Sequence, residues 1–457
     1  MNKKSESIKR PAMNNNAVLN VIKPSLVIVG NGMATGRLLD EITKRSPNKF
    51  NITVIGKEPY GSYNRIMLSA VLAGDTTLDA IMQKPPQWYA KNHITLMSGS
   101  TVTKINKNAC IIKLASGEQL QYKQLILATG SRTAKIPTTN QNISGVFNFR
   151  DIDDTKKIQA FASAKPLSDQ TNKGVKQAIV IGGGLLGLEA AYGLALSGVD
   201  VTLIHRNQWL MNRQLDKISG DMLQSIMVQK NIKFVLGHEV ANFEDNGAAD
   251  KMLTGARLTN GQVIRAQIAV IATGITPNKE LAQTANLDVN RAILVNDYMQ
   301  TSDPAISALG ECCEHENATF GLVDPIWAQC ITLAERICHN NKVAFKNAPV
   351  PTKLKVSGVQ LFSAGLVESS DKTTSFTLLD KKSLIYRKII TKNDKIVGIV
   401  LLGDVSSGMS YFEMMQQQIS VNQMMPALLI SNEYFVDEPV LVNKEANNNI
   451  PLNLFTV

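Results

Sequence analysis

Short apolar runs recur along the chain, and two of them break at closely spaced glycines and pass into helical spacing. The first run is Leu26-Val27-Ile28-Val29, whose unbroken apolar character suits a parallel strand covered on both faces. It breaks at Gly30 and Gly32, and Leu38, Leu39 and Ile42 then form one apolar helical stripe. Asn51–Ile55 reads as the next strand. The same order returns at Ala178–Glu189, where an apolar strand meets glycines and opens a helix carrying Leu188, Ala191, Tyr192 and Ala195. Ser197-Gly198 ends that helix, and Val199–Ile204 supplies a further strand. Thr101–Ile112 and Gln119–Gly130 read as strands on either side of the Ser116-Gly117 turn. The second of them ends in Ala128-Thr129-Gly130, and Ile268–Gly274 closes the later unit with the same Ala-Thr-Gly. From Leu354 to Asp404 the pattern changes to alternating strands joined by Ser, Gly and Asp-Lys turns, with a Met/Gln-rich helix expected near 411–428.

The expected fold is α/β, with two Rossmann-like dinucleotide-binding domains and a small C-terminal α+β domain. The duplication carries this expectation, because each glycine turn is followed by an Ala-Thr-Gly strand end about 90 to 100 residues later. Gly182, Gly184 and Gly187 complete a G-x-G-x-x-G between a strand and a helix, the context in which such glycines hold a pyrophosphate. Gly30 allows the tight turn of the first site, and Gly32 lets a phosphate approach the backbone at a helix N-terminus. Thr35 stands at the third position, which predicts looser helix–strand packing there. A ribose-binding acid is expected roughly 20 residues after the glycines. Glu58 is the candidate in the first unit, although Lys57 occupies the nearer place. In the second unit His205 and Arg206 stand where the acid would be, and an arginine there can accommodate the 2′-phosphate of NADPH.

Net charge changes the picture only slightly. The formal value is +10, but the basic residues are scattered, with no aromatic-interleaved run that would point to nucleic acid. An acidic redox partner remains compatible with it. No apolar stretch approaches the roughly 18 residues that span a bilayer. Five irregularly placed cysteines agree with a reducing compartment, and adjacent Cys312 and Cys313 read as packing residues. The polar residues 1–23 read as a disordered tail of a cytoplasmic protein, and 431–457 as a second tail.

The stretches VIVGNGMATGR, EPYGSYNRIMLS, GGGLLGLEAA, LMNRQLD, ATGITPN, TSDPAISALGEC, FGLV and LLGD together resemble the FAD-dependent pyridine nucleotide oxidoreductases. Within that family the chain is similar to the flavoprotein half of the NAD(P)H-nitrite reductase large subunit and to the electron-transfer flavoprotein of assimilatory nitrate reductase. The resemblance implies an FAD domain over 24–150 and 276–348, an NAD(P) domain over 151–275 and the C-terminal domain over 349–430. It implies that Gly30 and Gly32 cradle the FAD pyrophosphate and that Arg65 and Gly130 line the flavin side. Gly310 and Glu311 would hold the ribityl or diphosphate end, and Trp327 would approach the flavin ring. Gly182, Gly184, Gly187 and Gly274 would bind NAD(P), with Glu189 facing the nicotinamide. Where relatives carry a lysine after the Leu-Ser pair, Ala70 stands, so Glu189 is expected to lack its partner.

No four-cysteine cluster set or other metal-ligand set is present, so the expected product is electrons for a separate protein and not reduced nitrite. The expected acceptor is an assimilatory nitrate or nitrite reductase. A rubredoxin or ferredoxin reductase, an NAD(P)H oxidase and a non-enzymatic redox sensor stand as alternatives.

Overall fold

In a computed structural model of the chain, residues 23–163, 176–341, 343–425 and 427–430 are described. The two expected tails lie outside them, apart from Lys23. The chain divides into two compact units, one from the described residues of 1–63, 82–131 and 277–346, the other from those of 64–81, 132–276 and 347–457.

The first unit is built on a five-stranded sheet in the order Ile306–Ala308, Gln124–Leu127, Ser25–Val29, Asn51–Gly56, Thr95–Ser98. All four pairings are parallel. Leu26, Val27, Ile28 and Val29 are buried, as their unbroken apolar run requires of a strand covered on both faces. The helices Met33–Arg45 and Val323–His339 pack against each other in this unit. In register, Val29 lies opposite both Ile55 and Leu127, and Ala308 opposite Leu127. The carboxyl ends of four strands therefore share one edge, where ligands bind in open α/β sheets.

The second unit repeats the arrangement with Val146–Asn148, Ile268–Ile271, Gln177–Ile181, Asp200–His205 and Ile232–Leu236, again all parallel. Each Ala-Thr-Gly strand follows a three-stranded antiparallel meander, Val102–Asn106 to Gln119–Gln121 in one case and Val240–Asp245 to Val263–Arg265 in the other. The copies differ in the strand beyond the Ala-Thr-Gly strand, which comes later in the chain in the first unit and earlier in the second.

The stretch read as one strand, 101–112, is two, Val102–Asn106 and Ile111–Leu114. The Asn106 side chain accepts from the Ala109 N–H, and Cys110 takes φ +53°, so the chain reverses between them. The alternating C-terminal segment forms a five-stranded antiparallel sheet in the order Thr352–Val356, Val359–Gly365, Lys395–Leu402, Ile385–Lys392, Thr374–Asp380. The helix expected near 411–428 is Gly408–Gln416, with a short Ala427–Ile430 after it. Gln418 takes φ +54°, a left-handed turn that ends the helix early.

Candidate functional site

The two glycine turns share one backbone geometry. Gly30 has φ +108° and donates its N–H to Ile55 O at 2.8 Å; Gly182 has φ +124° and donates to Ile204 O at 2.9 Å. A Cβ at Gly30 would lie 2.0 Å from Ala128 O, and one at Gly182 would lie 2.3 Å from Ala272 O. Both positions therefore exclude any side chain, for conformation and for space. Gly32 and Gly184 are the N-caps of the following helices, with φ −84° and −86°. A Cβ at either would meet nothing within 4 Å. Each helix N-terminus thus presents unpaired N–H groups and its positive dipole end to open space, as a phosphate site requires.

The third position separates the copies. A Cβ at Gly187 would lie 1.9 Å from Gly182 O, so glycine allows the helix to rest on that carbonyl. In the first unit Thr35 is fully buried and its hydroxyl donates to Gly30 O at 2.7 Å. The looser packing expected from the missing glycine is offset by a hydrogen bond to the same carbonyl.

Around the first turn, Gly130 takes φ +62°, and a Cβ there would lie 4.0 Å from a Glu311 carboxylate oxygen. Ser131 donates to that carboxylate at 2.8 Å. Asn278 clamps the Ala-Thr-Gly turn: its N–H bonds Gly130 O at 2.9 Å, its side-chain amide bonds Thr129 O at 2.9 Å, and its carbonyl accepts from the Thr129 hydroxyl at 2.8 Å. Nothing in its spacing singled out Asn278, whose role comes from strands distant in sequence. Gly310 takes φ +87°, and its N–H donates to the fully buried Gln329 Oε1 at 2.8 Å. That bond fixes the amide orientation and leaves Gln329 Nε2 buried with no protein partner among the described residues. A donor left unpaired beside Gly310 fits a bound group with acceptor oxygens.

Glu58 lies two residues beyond its strand, half-buried, and accepts from the Tyr63 hydroxyl at 2.6 Å, while Lys57 is exposed. Trp327 is half-buried on the helix Val323–His339, with the Arg37 guanidinium 6.0 Å from its ring centroid. Cys312 and Cys313 are buried free thiols, both pushed up by burial. Arg65 belongs to the other unit, where its guanidinium donates to Arg150 O at 2.8 Å.

In the second unit the helix Leu68–Ala73 packs on Leu185–Leu196. Gly193 makes the approach possible, since a Cβ there would lie 3.1 Å from Ala73 N. Glu189 is one turn before Gly193, and Ser69 one turn before Ala73, so the helix contact puts Ser69 on the face that meets Glu189, while the Ser69 hydroxyl donates to Ile66 O at 3.4 Å. Burial pushes the Glu189 carboxyl above its ordinary value, and Ser69 opposes this.

His205 turns its ring onto the fingerprint, and its Nδ1 accepts from Gly183 N–H at 3.1 Å. Burial lowers its pKa, the Asn212 side chain opposes this, and the Arg206 charge adds to it. The imidazole is thereby held neutral, as an acceptor. Arg206 is exposed, with Glu239 3.9 Å away, an acid that no spacing rule identified. Gly274 is exposed at φ +113°, and its carbonyl accepts from Ala134 N–H at 2.9 Å.

Comparison with known proteins agrees with this geometry. The pyridine nucleotide-disulphide oxidoreductase family matches residues 24–342, and the rubredoxin NAD+ reductase C-terminal domain matches 349–419. The chain is 40% identical to the nitrite reductase [NAD(P)H] of Bacillus subtilis, over 88% of this chain and 48% of that protein. It is 37% identical to that organism's assimilatory nitrate reductase electron transfer subunit, over 84% and 48%. The chain thus spans about half the length of these relatives. The NADH:rubredoxin oxidoreductase structure from Clostridium acetobutylicum superposes with TM-score 0.73 at 26% identity, covering 89% of this chain and 99% of that one. A putidaredoxin reductase in covalent complex with putidaredoxin gives TM-score 0.76 at 24% identity, covering 87% and 94%. Among the described residues no helix is long and apolar enough to cross a membrane. With two glycine cradles on duplicated sheets and a family match over most of its length, the chain belongs to the pyridine nucleotide-disulphide oxidoreductases, FAD- and NAD(P)H-binding enzymes.

Proposed function

We propose that the chain is an electron-transfer flavoprotein that oxidises NAD(P)H and delivers electrons to a separate redox protein of nitrate or nitrite assimilation. The observation that carries this reading is the duplicated glycine cradle, with Gly32 and Gly184 open at two helix N-termini. The nitrite and nitrate reductase relatives at 37–40% identity support the choice of partner. FAD, when bound, accepts a hydride from the nicotinamide and releases electrons singly.

The residues of the chain bind and orient. Gly30 and Gly32 hold the FAD pyrophosphate, and Glu311, fixed by Ser131, receives a hydroxyl at the Gly130 turn. Gly182, Gly184 and Gly187 hold the nicotinamide nucleotide, and Glu189, half-buried on the helix that follows them, orients the nicotinamide amide. Arg65, anchored on Arg150 O, would contribute positive charge, and Trp327 would approach the flavin ring. Arg206 meets a 2′-phosphate, or Glu239 a 2′-hydroxyl. The five free thiols support a reducing, cytoplasmic setting.

A second reading is favoured by one observation. An NADH-rubredoxin oxidoreductase of Clostridium acetobutylicum is 30% identical and is covered over 86% of its own length, so a small iron–sulfur carrier is the competing acceptor.

The test is an anaerobic spectral titration of the purified yellow protein with NADH and, separately, NADPH. Bleaching near 450 nm (about the usual flavin position) by either nucleotide is expected, and the preferred one decides between Arg206 and Glu239. A protein that stays yellow with both defeats the reading. Reoxidation by a nitrate reductase catalytic subunit but not by rubredoxin separates the two acceptors.

A further inference from the structure

Gly183, between Gly182 and Gly184 of the second fingerprint, is held on both polar groups. Its N–H bonds His205 Nδ1 at 3.1 Å, and its carbonyl accepts from Met211 N–H at 2.9 Å. A Cβ on Gly183 would lie 2.6 Å from the His205 ring and 3.0 Å from Leu210. The equivalent residue of the first unit, Asn31, fixes its turn through its own side chain, accepting from the Tyr89 hydroxyl at 2.7 Å and donating to Tyr60 O at 3.3 Å. Gly183 has no such side chain. The segment 206–216 takes its place.

That segment is held together internally. Trp209 donates its indole N–H to Leu215 O at 3.0 Å, Asn207 donates to the Asn212 side chain at 2.9 Å, and the Leu215 N–H returns to Met211 O at 2.9 Å. Met211 sits at φ +53°, a conformation costly for a side chain and maintained only by its surroundings. The segment ends at Asp216, the N-cap of Lys217–Gln229, whose carboxylate accepts from Ser219 N–H at 3.1 Å.

The other oxygen of Asp216 is held by the C-terminal sheet. Lys388 Nζ lies 2.8 Å from it, and the Tyr386 hydroxyl donates to the same oxygen. Tyr386 and Lys388 are two residues apart on Ile385–Lys392, so one face of one strand presents both. Lys388 also donates to Val367 O at 3.1 Å. Burial would raise the Asp216 carboxyl, but Lys388, Ser219 and Tyr386 outweigh it and hold it below its ordinary value. An apolar pair of equal volume would serve packing as well or better, since burying two charges costs desolvation. A directional contact fixes position.

We propose that the Lys388–Asp216–Tyr386 contact is a positioning device through which the C-terminal domain holds the 206–216 segment against Gly183 and so sets the affinity for the nicotinamide nucleotide. This rests on the reading of Gly182–Gly187 as the nucleotide site. It makes the C-terminal domain part of the nucleotide cradle, whatever else docks on it.

The test uses the full FAD-loaded chain as wild type, Tyr386→Phe and the double variant Asp216→Asn/Lys388→Met. The double variant keeps a good helix cap and removes both buried charges. The readouts are the Kd for NAD+ or NADP+ by calorimetry, flavin content at its visible band, melting temperature, and the bleaching rate at saturating reduced nucleotide. The Kd is expected to rise about fivefold or more in the double variant and less in Tyr386→Phe, with flavin content and saturating rate unchanged. A merely structural contact would lower the melting temperature and leave Kd alone. Kd values within about twofold of wild type in folded, flavin-loaded Tyr386→Phe and double variants overturn the proposal. Wild type that binds neither nucleotide removes the underlying reading instead.

Discussion

Two glycines one residue apart in each fingerprint do opposite things. Gly30 and Gly182 are closed in by carbonyls behind them, whereas Gly32 and Gly184 face open space. Gly184→Ala is therefore expected to fold and retain flavin while losing nucleotide affinity by about tenfold or more, because its methyl group enters the phosphate space. Gly182→Ala is expected to fail at folding, which melting curves of the pair will separate. Glu189 gives a prediction with a sign. Its carboxyl binds a proton more tightly in the folded chain than in the unfolded one, so ionisation subtracts stability as pH rises from its ordinary 4.5 through the raised value. Glu189→Gln is expected to melt at or above wild type at pH about 8, with the difference vanishing near pH 4. A Gln variant that is less stable than wild type at the higher pH would show that the carboxylate is stabilised there. At this scale the fingerprint glycines were legible because their backbone requirements are local. Ser69, Asn278, Gln329 and Glu239 were not, because each acts on a residue brought to it only by folding.

At the scale of elements, the contact of the first helix with its strand depends on a hydroxyl where the second copy uses a missing side chain. Thr35→Val keeps the shape and removes the donor to the half-buried Gly30 carbonyl. It is expected to cost about 0.5–1.5 kcal/mol, with Thr35→Ser close to wild type in the same denaturation series. Just beyond the strand Lys395–Leu402, burial alone would raise the Asp404 carboxyl, but Ser406 and the Arg387 guanidinium bring it down to about 2. A carboxyl lowered in the folded state contributes stability above its ordinary 3.8, and that contribution is lost as pH falls toward about 2. Asp404→Asn is expected to flatten the melting-temperature profile over that interval; an unchanged profile would assign acid sensitivity elsewhere. Strands were legible from their apolar runs, but their breaks were less so. The 101–112 stretch divides at Cys110, and the Gly408–Gln416 helix stops just before Gln418, both at left-handed residues that are not glycine.

For the whole molecule, four strands of the two sheets share one order, although the strand beyond the Ala-Thr-Gly strand comes from opposite directions along the chain. What the duplication preserves is the edge at which glycine turn, second strand and Ala-Thr-Gly end together. The net charge of +10 belongs to this scale as well, because it acts on encounters and not on the fold. The second-order rate of electron delivery to an acidic carrier protein is expected to fall several-fold between about 50 and about 500 mM salt. A flat salt profile would remove charge steering from the account of the partner.

The sequence by itself determined the α/β class, the two glycine turns of two Rossmann-like sheets and the change of architecture after residue 350, because apolar periodicity and glycine conformation are properties of a few neighbouring residues. Only the tertiary structure decided that Asn278 clamps the Ala-Thr-Gly turn, that Thr35 replaces a glycine by a hydrogen bond, and that Lys388 and Tyr386 reach Asp216. Each of those contacts joins residues whose meeting depends on how separate elements pack, and the spacing of residues along the chain carries no record of that.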